Sequence, residues 1–441
     1  MILSIADKGA IPPAVTFTVD QVVSPYMGVF FAAFFVAVIS TPIMALIANR
    51  LGIVDKPDGL RKLHGKTTAY LGGLALLLAW LAGVGVSRFV HPHGEAGDTV
   101  EMVGIPLAIV LGAVTVTLVG LWDDVFSMRA RYKLMGQLAA AGFLIVQGIG
   151  PRIVAGCVGS LSTALGTDLR ASVPPIVIEA AGNMLVIFFV LGGCNATNLL
   201  DGLDGLAGGV IAVVALALTF IAVALAIGVY PGGGAYSPAV DPVRIVLSLA
   251  LLGAVLGFLP YNFKPAIIFM GDAGSMLLGF LAVSMIMMLG EKGDPLLVMA
   301  GLTIFAMPIL DTALTIARRI ARGLPLSTPD AHHLHHLLVK SGLGVRRAVC
   351  VLYLIAIGFS VLGCAMLFTR LRFVAAIFSV VFTFIAIIAF KLGQQHYRTE
   401  QVIKATSQSE AQSPTLSRAT ADGPRVVGVV QAMEPVLAGT K

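Results

Sequence analysis

Apolar runs of about twenty residues, the length that crosses a hydrocarbon core about 30 Å thick, recur along the whole chain. Each ends in a short polar or charged cluster. The runs centre near Phe35, Leu78, Leu111, Ala141, Ile187, Ala217, Leu251, Leu281, Phe305, Ile357 and Phe382. Backbone groups in lipid must bond within a helix or a closed barrel, and runs this long predict helices. The pattern therefore predicts an all-α polytopic membrane protein with about eleven transmembrane helices. The run near Ala141 is the weakest, and Gly253 and Gly257 interrupt the one near Leu251. Residues 1–22 are expected to be an extracytoplasmic N-terminal segment and 23–395 the transmembrane domain. Residues 396–441, polar and rich in Ser, Thr and Gln, are expected to be a disordered cytoplasmic tail. Met1–Asp20 is too polar and too Pro-broken for a cleavable signal, so the first span is expected to stay as an anchor.

Composition strengthens the membrane assignment. Of 441 residues, 57% are hydrophobic and 12% charged, and the mean hydropathy is +0.94, far from a soluble domain's balance. A net charge of +6 invites nucleic acid as a partner. No basic patch interleaved with aromatics is present to bind one, so no nucleic acid is expected. The charges set topology instead. Arg50, Lys56, Arg61, Lys62 and Lys66 share one loop, Arg129, Arg131 and Lys133 a second, and Arg318, Arg319, Arg322, Lys340, Arg346 and Arg347 a third. The positive-inside rule makes these loops cytoplasmic, with the N-terminus outside and the C-terminus inside. Cys157, Cys194, Cys350 and Cys364 form no CxxC pair and read as small apolar residues.

The chemistry-bearing residues gather on that predicted cytoplasmic side. LVGLWDDVFSMRARYKLMGQ carries Asp123, Asp124 and Lys133. NATNLLDGLDGL places Asn195, Asn198, Asp201 and Asp204 every three residues, a slowly rotating stripe on one side of a helix. GDAGS opens the next polar cluster with Asp272, and DAHHLHHLL holds His332 to His336. Each has a plainer reading. Asp123 and Asp124 would serve as a solvated helix end, and Asp272 as an N-cap receiving backbone N–H groups. His332 and His336 stand four apart, as helical zinc ligands do. Carboxylate and amide oxygens suit hard cations instead, and Mg²⁺ binds through one or two carboxylates together with substrate phosphates. With Lys and Arg nearby, the imidazoles read as phosphate donors. Carboxylates for a divalent cation, beside Lys, Arg and His for anionic oxygens, are what phosphoryl transfer requires. No G-x-x-x-x-G-K-[ST] loop is present. The rival class is a secondary transporter, which would place its carboxylates near the bilayer midplane.

Five pieces in order, LRKLHGKTTAYLGGLA, WDDVFSMRARYKLMGQ, NATNLLDGLDGLAGG, YNFKPAIIFMGDAGSMLLGF and HLHH, resemble the polyprenyl-phosphate N-acetylhexosamine-1-phosphate transferase superfamily. The resemblance spans about Arg50 to Leu338. It implies transfer of a sugar 1-phosphate from a UDP-sugar to a polyprenyl phosphate, with Mg²⁺ or Mn²⁺ required. Asp272 would be a direct metal ligand, with Asn198 near or on the ion. Asp123 and Asp124 match the essential acidic pair, and Lys133 would hold a phosphate. Asn195, Asp201 and Asp204 would line the substrate pocket, with His333, His335 and His336 on the diphosphate side. The first piece departs from the pattern, since many relatives read PTPR-x-GG where this chain has TTAYLGG. Arg61, Lys62 and His64 are accordingly weak candidates. The HLHH form resembles the N-acetylglucosamine branch, which acts on undecaprenyl or decaprenyl phosphate in bacterial inner membranes. That branch starts O-antigen, enterobacterial common antigen, teichoic acid or arabinogalactan linkers. The PIHHHFE-like segment of the phospho-N-acetylmuramoyl-pentapeptide transferase of peptidoglycan synthesis is absent. A homodimer is left open.

Overall fold

A computed structural model describes residues 17–55, 67–90, 103–230, 241–321, 334–369, 373–374, 376–387 and 391. The candidates Arg61, Lys62, His64, His332 and His333 lie outside these residues, as does the tail, and the side chain of His336 is likewise not described. The protein is a helical, multi-pass membrane protein. Its principal helices are α1 (Met27–Leu51), α2 (Gly72–Val86), α3 (Leu107–Phe126), α4 (Ala130–Val146), α5 (Ile149–Leu165) and α6 (Pro175–Leu200). They continue as α7 (Leu206–Ala226), α8 (Asp241–Asn262), α9 (Gly271–Leu289), α10 (Pro295–Ile304), α11 (Ala306–Ala321) and α12 (Gly344–Ala365).

Among the described residues, eight helices are long and apolar enough to cross a membrane, or up to ten if each bent pair counts as one span. The bent pairs are α4 with α5, turned by 66°, and α10 with α11, turned by 72°. The first bend passes through Gly148 at φ +68°, a left-handed conformation that ends a helix at little cost to glycine. The run near Phe382 forms a shorter apolar helix, Ala376–Ile387.

The expected break near Leu251 does not exist, because α8 runs without interruption through Gly253 and Gly257. Those glycines instead let α1 approach closely: a methyl group at either would overlap the carbonyl of Phe30 or of Phe34. Burial ranks the helices. In α8 and α9 the apolar window is 89% and 94% buried, against 28% in α6, so those two form the centre and α6 presents a face to lipid. Helices α2, α3 and α6 pack on α9. A two-stranded antiparallel ribbon, β1 (Val54–Asp55) with β2 (Thr68–Ala69), closes one end. It is tied to the entry of α9 through Phe269 N–H to Ala69 O (2.8 Å) and Gly72 N–H to Phe269 O (3.1 Å).

Candidate active site

The entry of α9 is where the sequence clusters meet. Its first N–H groups have no partner within the helix, and a carboxylate from the end of α3 supplies one. Asp124 accepts Asp272 N–H at 2.8 Å and Ala273 N–H at 3.1 Å, one on each oxygen. The N-cap alternative for Asp272 is therefore corrected: the capping carboxylate is Asp124, from another helix, and the Asp272 side chain is left to face elsewhere. Gly120 and Gly271 permit the approach, since a side chain on the first would run into the backbone of α9 and one on the second into Asp124.

Asp272 receives the ammonium of Lys133 on one oxygen and the amide N–H of Asn198 on the other at 2.5 Å. Lys133 also reaches Asp123 at 3.3 Å, and Asp123 accepts Met128 N–H at 2.5 Å. Asn198 is steadied by Ser275 Oγ at 2.9 Å. Asp272, Asp123 and Lys133 keep 28%, 19% and 17% of their side-chain surface open, enough for a ligand to reach them. The adjacent aspartates thus divide: both oxygens of Asp124 bind backbone, while Asp123 faces the open lysine.

The stripe expected on one helix stops halfway. α6 ends at Leu200 and Asp201 is its C-cap, so Asp201 and Asp204 stand in a turn, residues 201–205, rather than on a helical face. Asn195 lies one turn deeper, bonded to Gln137 at 2.9 Å and to Leu191 O at 2.8 Å. Asp204 accepts Ala266 N–H at 3.2 Å and so ties the turn to the loop before α9. Asp201 has its carboxyl pushed up to about 8, first by burial and then by the carboxylates of Asp272, Asp124 and Asp204. The His335 ring packs against Gly202 of the same turn, and Leu334 N–H binds Asp311 at 2.8 Å, bringing the histidine segment to the site.

Several neighbours escaped the sequence reading. Gln137 follows Lys133 by four residues, a helical same-face spacing that was available as a signal. Ser275 lies within the quoted GDAGS, and Asp311 within an apolar helix. Tyr70 replaces the expected Arg of the first piece. Its phenol is pushed upward by burial, then by Asp55, Asp124, Asp201 and Asp272, so it stands within their field.

Carboxylates outnumber cations here, a surplus that favours a divalent ion. Among the described residues no three His, Cys, Asp or Glu side chains group to hold a metal alone. The Lys133 ammonium between Asp123 and Asp272 marks where positive charge is stabilised.

Residues 106–290 match glycosyl transferase family 4. A Bacillus subtilis (strain 168) protein named "Probable undecaprenyl-phosphate N-acetylglucosaminyl 1-phosphate transferase" is 34% identical over 338 residues, covering 75% of this chain and 82% of its own. The Mycobacterium tuberculosis (strain H37Rv) decaprenyl-phosphate N-acetylglucosaminephosphotransferase is 34% identical over 323 residues, 70% and 74% of the two chains. The Escherichia coli (strain K12) undecaprenyl-phosphate alpha-N-acetylglucosaminyl 1-phosphate transferase is 28% identical over 316 residues, 70% and 75%. The match spans the helices that build the site, and with similarity of this extent the chain belongs to glycosyl transferase family 4.

Proposed function

We propose that the protein transfers N-acetylglucosamine 1-phosphate from UDP-N-acetylglucosamine to a polyprenyl phosphate, releasing UMP and beginning a cell-envelope polysaccharide. The observation that carries this reading is the convergence of three separate stretches of chain, bearing Asp123 with Lys133, Asn198, and Asp272, at one open end of the bundle. The names of the relatives support the same acceptor and sugar. The basic loops make that end cytoplasmic, with the N-terminus outside and about eleven spans in a bacterial inner membrane.

A lipid phosphate oxygen attacks the sugar-linked phosphorus of the donor; a new P–O bond forms as the P–O bond to UMP breaks, and UMP leaves with the electron pair. A phosphate monoester has its second pKa near ~6, so the nucleophile is already largely dianionic at neutral pH and needs no strong base. Lys133 neutralises charge on the departing phosphate. Asp123 orients Lys133, and Asp124 fixes the GDAGS turn. Asp201, Asp204 and Asn195 shape the donor pocket, with His333, His335 and His336 on its diphosphate side. Asp272 and Asn198 would hold Mg²⁺ or Mn²⁺, whose bound charge lowers the cost of crowding phosphate oxygens together. The engagement of both Asp124 oxygens by backbone favours direct attack over a phospho-aspartate at that residue.

The test is purified protein with polyprenyl phosphate, Mg²⁺ and radiolabelled UDP-N-acetylglucosamine. Labelled lipid and stoichiometric UMP are expected. Lipid product formed only from UDP-N-acetylmuramoyl-pentapeptide would reassign the enzyme to peptidoglycan synthesis.

A further inference from the structure

The turn 201–205 carries both aspartates assigned above to the donor, yet it belongs to neither helix beside it. Gly205, the N-cap of α7, adopts φ +80°, and both of its backbone polar groups are held by side chains. Its N–H donates to Asn262 Oδ1 at 3.1 Å. Asn262 is buried at the end of α8, and its amide also donates to Ile268 O at 2.9 Å, so it couples the turn to the loop leading into α9. The Gly205 carbonyl accepts the hydroxyl of Tyr353, from α12, at 2.6 Å.

The Tyr353 ring is seated as well as bonded. A methyl group at Gly209 would overlap its hydroxyl and ring carbons, so the first turn of α7 leaves a notch that the phenol fills. Arg346, on the same helix, donates to Lys264 O at 3.4 Å in the loop before α9. α12 thus touches both segments that flank Asp204, and it lies wholly outside the family-matched residues 106–290.

We infer that Tyr353 is a positioning residue for the UDP-sugar: its hydroxyl, opposing Asn262 across Gly205, sets where Asp201 and Asp204 stand. It touches no reacting atom, so its effect falls on donor binding and leaves lipid binding alone. The inference rests on the transferase reading above.

The test compares wild type with Tyr353→Phe, which keeps the ring in its notch and removes the hydroxyl, and with Gly209→Ala, which displaces the ring and keeps the hydroxyl. KM for UDP-N-acetylglucosamine and the Kd for UMP, by calorimetry, are expected to rise about five- to tenfold, the scale of one lost hydrogen bond. KM for polyprenyl phosphate and the melting temperature of Tyr353→Phe should stay at wild-type values. Unchanged donor KM and UMP affinity in both variants overturn the inference, as does an equal rise in both substrates' KM. A merely structural tyrosine would lower Tm and the active fraction without separating the two KM values. A wild type that binds neither UMP nor UDP-N-acetylglucosamine overturns the transferase reading and this inference with it. A wild type with normal turnover beside an unaltered variant overturns the inference alone.

Discussion

The two ends of α9 answer the same electrostatic demand with opposite charges, and only one of them is left open. At the first end, the carboxylate of Asp124 receives the free N–H groups. At the other, the guanidinium of Arg244 donates to the Met288 carbonyl at 2.7 and 3.1 Å. Each places charge where the helix dipole favours it. Arg244 is then closed off by Asp241 at 2.9 Å, the pair retaining 4% and 1% of their side-chain surface, with Lys292 at 3.7 Å from the other Asp241 oxygen. That end is sealed, and its bonds are satisfied internally. The first end has carboxylates in surplus and keeps Asp272, Asp123 and Lys133 partly open. A charged cluster at a helix end is therefore no sign of function by itself; surplus charge with access to a ligand is.

The contrast breaks most visibly at the sealed end. Arg244→Met leaves Asp241 buried without its main partner, which costs about 3–5 kcal/mol, while turnover per folded molecule stays at the wild-type rate. Denaturation in detergent beside an active-site titration checks both halves. Asp272→Asn should do the opposite, lowering kcat about 10²–10³-fold, the scale of one lost electrostatic stabiliser, with Tm little changed. Retained activity at saturating Mg²⁺ would remove it from the site. Lys133→Ala should weaken UMP binding about tenfold, the worth of one charged hydrogen bond; kinetics identical to wild type would detach the lysine from phosphate.

A last prediction concerns the pH dependence of stability at Asp201. Its carboxyl titrates near 8 in the folded protein and near ~4 in an unfolded chain. Across that interval the unfolded state binds fewer protons, so stability falls as pH rises from about 4 to about 8. Asp201→Asn should flatten this dependence when Tm is followed against pH in EDTA. An identical slope in both proteins would show that Asp201 is ionised throughout.

The apolar runs were legible because membrane-crossing helices need length and hydrophobicity, which are local properties. Two local inferences failed for non-local reasons. Gly253 and Gly257 looked like breaks in a span, whereas they are where α1 lies against α8. A three-residue spacing looked like a continuous stripe, yet the glycines let the chain leave the helix after Leu200. Tyr353 carried no signal, because a tyrosine in an apolar helix is unremarkable until its hydroxyl meets Gly205, 148 residues away.

Composition, run length and the order of the polar motifs suffice to specify a multi-pass helical protein, its family resemblance and the segments that carry its chemistry. Those are properties of neighbouring residues and survive without a fold. The division of labour among the carboxylates does not. Asp123 and Asp124 are chemically identical neighbours, and they differ because packing of α3 against α9 aims one at N–H groups 148 and 149 residues further along and the other at Lys133. A hydrogen bond depends on distance and direction, and between remote segments those are set by helix packing.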